Sequence, residues 1–167
     1  FYVLELATGQ LLYTIPRSFN DPAMMWHQTD PNRLIYFMNN EIRIFDASTG
    51  VATTVMSFPQ YDSIQTREEG TVSDDWRYAA FLGYKPNSNY TKADFVVVDL
   101  QTKSIIGLKP DQTNIPDMIG MSPSGQYVLA PFEDYTKLYD RNLNFLRNLH
   151  AGQTHEDFAY DHNGDEV

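Results

Sequence analysis

The amino-acid sequence predicts an all-β fold made of repeated four-stranded units. Three observations carry this: a recurring strand-and-turn signature, a second signature at the same period, and no convincing helical periodicity. The first signature reads VLELATGQ (3–10), IFDASTGV (44–51), VVDLQTKS (97–104) and LYDRNLNF (138–145), each with apolar residues, one acid and a polar turn. Its acidic positions, Glu5, Asp46, Asp99 and Asp140, lie 41, 53 and 41 residues apart. The second reads HQTDPNRLIYF (27–37), VSDDWRYAAFL (72–82), MSPSGQYVLAPF (121–132) and YDHNGDEV (160–167). Aligning Arg33, Arg77, Gln126 and Asp165 gives intervals of 44, 49 and 39 residues, so both signatures share one period.

Each element follows from local chemistry. FYVLEL (1–6) opens the outer strands of a first, partial unit over 1–19. A second unit, 20–60, holds two apolar strands hinged at Asn39-Asn40 and closed by the Thr49-Gly50 turn; Ile42 and Ile44 alternate with polar neighbours, as on a strand with one dry face. In a third, 65–110, a Ser-Asp-Asp turn precedes YAAFL, and FVVVDL (95–100) is continuously apolar, as expected of a strand buried on one or both faces. Its interval is lengthened by the polar insertion YKPNSNYTKAD (84–94). A fourth, 115–149, turns at Ser-Pro-Ser-Gly, and Asp-His-Asn-Gly opens a partial fifth over 154–167. Proline presets φ, and Gly or Asn tolerate positive φ, so these clusters turn the chain. The stretch 62–69 lacks apolar residues at helical spacing and reads as a loop.

Helix-free four-stranded units of about 40 to 50 residues mark the blades of a β-propeller. A sandwich also has short strands and turns, but it does not need the same two signatures in the same order. The chain therefore reads as a partial β-propeller of about three and a half blades, fewer than the roughly four to eight that close a ring. Unpaired edges and apolar faces are expected to meet the remaining blades of a longer chain, or other copies. The chain opens within one strand-like run and stops where another should start, which leads to the same expectation of an internal segment.

MSPSGQYVLAPF (121–132) resembles the Ser-Pro-Asp-Gly-aromatic-apolar motif of WD40-like propellers of the TolB and oligogalacturonate-lyase kind, and 26–50 is similar to one of their inner and middle strand sets. The sequence departs from that pattern at Ser124, where the family usually has Asp, and at SDDWRY (73–78), which lacks the Pro-Gly pair.

With 42% hydrophobic and 14% aromatic residues, the chain has enough apolar surface for a folded core. A net charge of −10 with only 12 Lys and Arg argues against a nucleic-acid partner. Cysteine is absent, which removes disulfides, thiolate metal sites and cysteine nucleophiles. No apolar window approaches the roughly 18 to 20 residues of a membrane span. The resemblance implies a secreted or periplasmic setting.

One stretch suggests chemistry. LHAGQTHEDFAYDHNGDEV (149–167) gathers three of the four histidines with five acids. His150, Gln153, His155 and Asp157 offer nitrogen and oxygen ligands for a divalent metal. The resemblance implies a metal-assisted lyase acting on uronate-containing polysaccharide, with manganese or calcium and with His155 as ligand or proton-abstracting base. The alternative is a polar connecting loop. Asp161, Asn163 and Asp165 alternate as in half a calcium loop, yet Gly164 comes too early and an Asn-Gly hairpin turn fits better.

Trp26 and His27, at an innermost-strand position, could touch a ligand in the channel; the structural alternative has the tryptophan filling a wedge between blades and the histidine satisfied by a turn. Trp76 reads as a packing residue. Tyr61, Tyr84, Tyr90 and Tyr135 lie in or near loops, where tyrosines can stack on sugar rings. Asn89-Tyr90-Thr91 is a glycosylation triplet, meaningful in a secretory context. No phosphate-binding glycine loop, serine elbow or paired zinc-ligand helix is present. The expected function is a ligand-binding or scaffolding propeller module of a larger, extracytoplasmic protein, and the rival is the lyase.

Overall fold

The computed structural model describes residues 2–15, 23–66 and 71–149, and among them are fourteen strands and no helix. β1 (Tyr2–Leu4) and β2 (Leu11–Thr14) form a hairpin. Three four-stranded sheets follow. The first runs β3 (Met24–Trp26), β4 (Arg33–Met38), β5 (Glu41–Asp46), β6 (Val51–Ser57). The second runs β7 (Ser63–Gln65), β8 (Tyr78–Tyr84), β9 (Ala93–Asp99), β10 (Ser104–Gln112). The third runs β11 (Gly120–Met121), β12 (Tyr127–Pro131), β13 (Thr136–Asp140), β14 (Phe145–Leu149). In each, consecutive strands pair antiparallel, so every sheet is a simple meander sharing no strand with its neighbours.

Side-chain alternation then stacks the sheets face to face. On β4, Ile35 and Phe37 face the second sheet, while Leu34 and Tyr36, together with Phe45 of β5, face the hairpin side, where they meet Val3 and Ile15. The middle of the second sheet is dry on both sides: all seven residues of β8 and all seven of β9 are buried. Ala79, Phe81, Val96 and Val98 pack toward the first sheet, and Ala80, Leu82, Phe95 and Val97 toward Met121, Val128, Ala130 and Tyr139 of the third. The continuous apolar run of FVVVDL is thereby explained, because both pleats of β9 are core. Each fully buried Val or Phe contributes about 1.5–3 kcal/mol relative to exposure, so the middle strands dominate stability. The outermost strands are wetter, with Val51, Ile105, Leu108 and Phe145 exposed.

At one end of the sheets the recurring acid acquires a physical role. Asp46 Oδ1 accepts the Ser48 N–H at 2.8 Å, Asp99 Oδ1 accepts the N–H groups of Gln101 and Thr102 at 2.9 and 3.1 Å, and Asp140 Oδ1 accepts those of Asn142 and Asn144 at 2.9 and 2.8 Å. Each carboxylate mimics a turn of backbone and closes the hairpin to the outermost strand. The inner hairpins are capped in parallel. Tyr78 N–H donates to Ser73 Oγ at 2.9 Å, and Tyr127 N–H donates to Ser122 Oγ at 3.0 Å. In the first sheet His27 holds the corresponding place, its Nδ1 accepting the N–H groups of Thr29 and Asp30 at 3.3 and 3.2 Å.

The departure at SDDWRY also has a reason. Gly125, at φ +70°, donates its N–H to Ser122 O, and Trp76, at φ +55°, makes the same bond to Ser73 O. A tryptophan thus occupies the left-handed position that glycine fills in the next unit, at a cost of about 1–2 kcal/mol. Packing holds it there: the His27 ring lies edge-on to Trp76 at 4.5 Å, and the Arg33 guanidinium sits 5.9 Å from the indole. Neighbouring turns also join directly. Gln28 Nε2 donates to Asp74 Oδ1 at 2.7 Å, and Asp74 N–H donates to Pro123 O at 2.9 Å.

Candidate functional site

The opposite end of the sheets carries the connectors between them and the longer hairpin turns. The connector from β6 to β7 is clasped by the Asn39-Asn40 turn: Phe58 N–H donates to Asn40 O at 2.9 Å, and Ile64 N–H donates to Asn39 O at 2.7 Å. A buried polar node locks it to the second sheet. Asp94, only 3% exposed, accepts the Tyr61 hydroxyl at 2.9 Å on Oδ2, and on Oδ1 it accepts the Asp111 N–H at 2.8 Å and pairs with the Lys85 ammonium at 3.1 Å. Burial, followed by the bond to Asp94, pushes the Tyr61 hydroxyl well above its ordinary value. Lys85 is held above its ordinary range chiefly by Asp111, 3.0 Å away, and then by Asp94. Gly83 makes room for this node, since a Cβ there would lie 2.7 Å from the Tyr61 ring.

The next connector, from β10 to β11, is not closed over in this way. Between it and the β12–β13 turn lies a cleft of about 510 Å³, lined by Asn114, Ile115, Pro116, Asp117, Met118 and 131–135. The turn is a tight hairpin in which Phe132 and Tyr135 exchange backbone hydrogen bonds, Phe132 N–H to Tyr135 O at 2.8 Å and the reverse at 3.3 Å. That geometry stacks the Phe132 and Tyr135 rings at 5.2 Å and 29°, with Glu133 and Asp134 exposed at the tip. Lys137 lies over both rings, its Nζ 4.9 Å from Phe132 and 5.6 Å from Tyr135. Asn114 Nδ2 donates to the Tyr135 hydroxyl at 3.4 Å. A second aromatic pair, Tyr84 and Tyr90 at 4.9 Å, stands nearby: burial above all, then Tyr90 and Asp117, push the Tyr84 hydroxyl up. Asn89 and Tyr90 both have positive φ, 47° and 59°, and the exposed Tyr90 ring is thereby set against Tyr84.

The residues singled out from sequence fall in different places. His150, Gln153, His155 and Asp157 lie outside the described residues, as do Asp161, Asn163 and Asp165. Trp26 is 46% exposed on β3, whereas His27 caps its turn and packs on Trp76, so the tryptophan that wedges between sheets at this point is Trp76. Of the four loop tyrosines, Tyr61 and Tyr84 are buried within the fold, Tyr90 is exposed and Tyr135 lines the cleft. Asp117, Phe132, Glu133 and Asp134 were not singled out. The signal available for them was PFEDYTK (131–137), in which two aromatics bracket an acidic hairpin tip. Among the described residues no group of three or more His, Cys, Asp or Glu is placed to hold a metal ion, and no helix is long and apolar enough to cross a membrane.

No family model matches the chain, and no curated protein matches it. Among solved structures it is similar to the Cps50 (Swd1) beta-propeller domain of Myceliophteria thermophila, with a TM-score of 0.59 and 11% sequence identity over 90% of this chain. The chain spans about half of that domain, 53% of its length. Antiparallel four-stranded meanders, their face-to-face cores and this likeness show that the chain is a partial β-propeller.

Proposed function

We propose that the chain is a ligand-binding or scaffolding propeller module and that its ligand surface is the connector end, centred on the cleft between the β10–β11 connector and the β12–β13 turn. The observation that carries this reading is the half-buried Phe132–Tyr135 stack lining a cleft of about 510 Å³. Paired aromatics in a concave site supply contact area at low entropic cost, which is how a few residues come to dominate an interface. A propeller scaffold by itself hosts many functions, so the argument rests on the site. Membership of a longer, extracytoplasmic protein and kinship with the TolB-type propellers rest on the sequence resemblance.

The test is a binding screen of the chain against peptide and glycan arrays, repeated with Tyr135→Ala and with Gln28→Ala at the opposite end. Binding lost in the first variant and kept in the second supports the cleft. Binding indifferent to Tyr135→Ala refutes it. The lyase alternative rests on His150, Gln153, His155 and Asp157; absorbance from new double bonds in uronate polysaccharide, with and without manganese or calcium, checks it separately.

A further inference from the structure

The carboxylates of this molecule are divided by role. Among the described residues, Glu5, Asp30, Glu41, Asp46, Asp74, Asp75, Asp94, Asp99, Asp111 and Asp140 each accept a side-chain hydrogen bond or join an ion pair. Asp62, Asp117, Glu133 and Asp134 do neither with any described residue. All four stand at the connector end, and three of them line the cleft. Among the described residues no Lys, Arg or His lines it. Lys137 is spread over the Phe132 and Tyr135 rings, which shows that this aromatic pair already accepts a positive charge at cation–π distance.

On the reading of the cleft as the ligand site, we propose that its ligand is a cationic side chain, an ammonium or guanidinium carried by a basic peptide segment of a partner protein. Three carboxylates that bond to no described residue can give such a group charge-assisted hydrogen bonds, and the aromatic pair gives it a polarisable surface. The chain's net charge of −10 would steer a basic partner inward. The same charges repel a uronate chain, so the acidic glycans of the lyase reading do not fit this cleft.

The experiment is calorimetric titration of the full chain with a short Lys- and Arg-bearing peptide, a neutral oligosaccharide and a polyuronate, at low and high salt. The basic peptide is expected to bind. The paired variant Glu133→Gln with Asp134→Asn, on an exposed hairpin tip, should fold normally and weaken binding about five- to tenfold. Tyr135→Ala should weaken it as well. If the neutral oligosaccharide binds in a Tyr135-dependent way and the peptide does not, the cationic assignment is overturned while the cleft stands. If peptide binding ignores both variants and merely fades with salt, it reflects net charge alone and the assignment is wrong. If none of the three ligands binds, the assignment fails together with the cleft.

Discussion

The two ends of this sheet stack use the same kinds of residue in opposite ways. At the end holding the inner and outer hairpins, Asp46, Asp99 and Asp140 cap one set of turns, Ser73, Ser122 and His27 cap the other, and neighbouring turns bond to one another through Gln28, Asp74 and Pro123. At the connector end, one connector is sealed by the Tyr61–Asp94–Lys85 node, while the next leaves a cleft with carboxylates that bond to no described residue. Buried polar groups that find partners stabilise a fold, whereas exposed carboxylates that bond to no described residue keep their charge available to a ligand. The turn end therefore carries stability, and in the proposed function the cleft carries recognition.

Mutation can break this division, and the largest effect is expected at Gly125. A Cβ there would fall on the Tyr78 ring, and φ is +70°, so Gly125→Ala should destabilise by about 3 kcal/mol in denaturant unfolding. A cost below about 0.5 kcal/mol would mean that the turn end is not rigid. Next comes the sealed connector: Tyr61→Phe removes a donor from the buried Asp94 carboxylate and should cost about 1–3 kcal/mol, read as a lowered thermal midpoint.

Acid sharpens the contrast. Burial opposes ionisation of Asp99, but the Thr102 N–H, the Arg77 guanidinium and the Gln101 N–H together hold its carboxyl below the ordinary 3.8. The Ser48 hydroxyl, first among its donors, does the same for Asp46. A carboxyl with a depressed folded pKa adds stability above its unfolded pKa and loses it as pH falls through the folded one. Stability should therefore decline below pH 3.8, and Asp99→Asn should flatten part of that decline in acid unfolding curves. The smallest effect belongs to the cleft, where Glu133→Gln should leave stability within about 0.5 kcal/mol of the parent chain.

Much of the architecture was legible because period-2 alternation and turn chemistry are local. The hairpin hinged at Asn39-Asn40 pairs Met38 with Glu41, and the acid of the repeated signature became a turn cap in three sheets. The tyrosines show where local reading stops. Tyr61, Tyr84, Tyr90 and Tyr135 look alike in sequence, yet Tyr61 is drawn inward by Asp94, which lies 33 positions away, and only Tyr135 meets the cleft. Trp76 likewise could be read as a packing residue, but its left-handed backbone could not, because the His27 and Arg33 contacts that hold it come from another sheet.

What the sequence determined by itself was the set of strands, their turns and their repetition, since each depends on residues within a few positions of one another. The tertiary structure decided which polar groups bond to one another and which bond to no described residue. That outcome depends on distances between segments far apart in the chain, as where 114–118 approaches 131–135, and no local pattern encodes it.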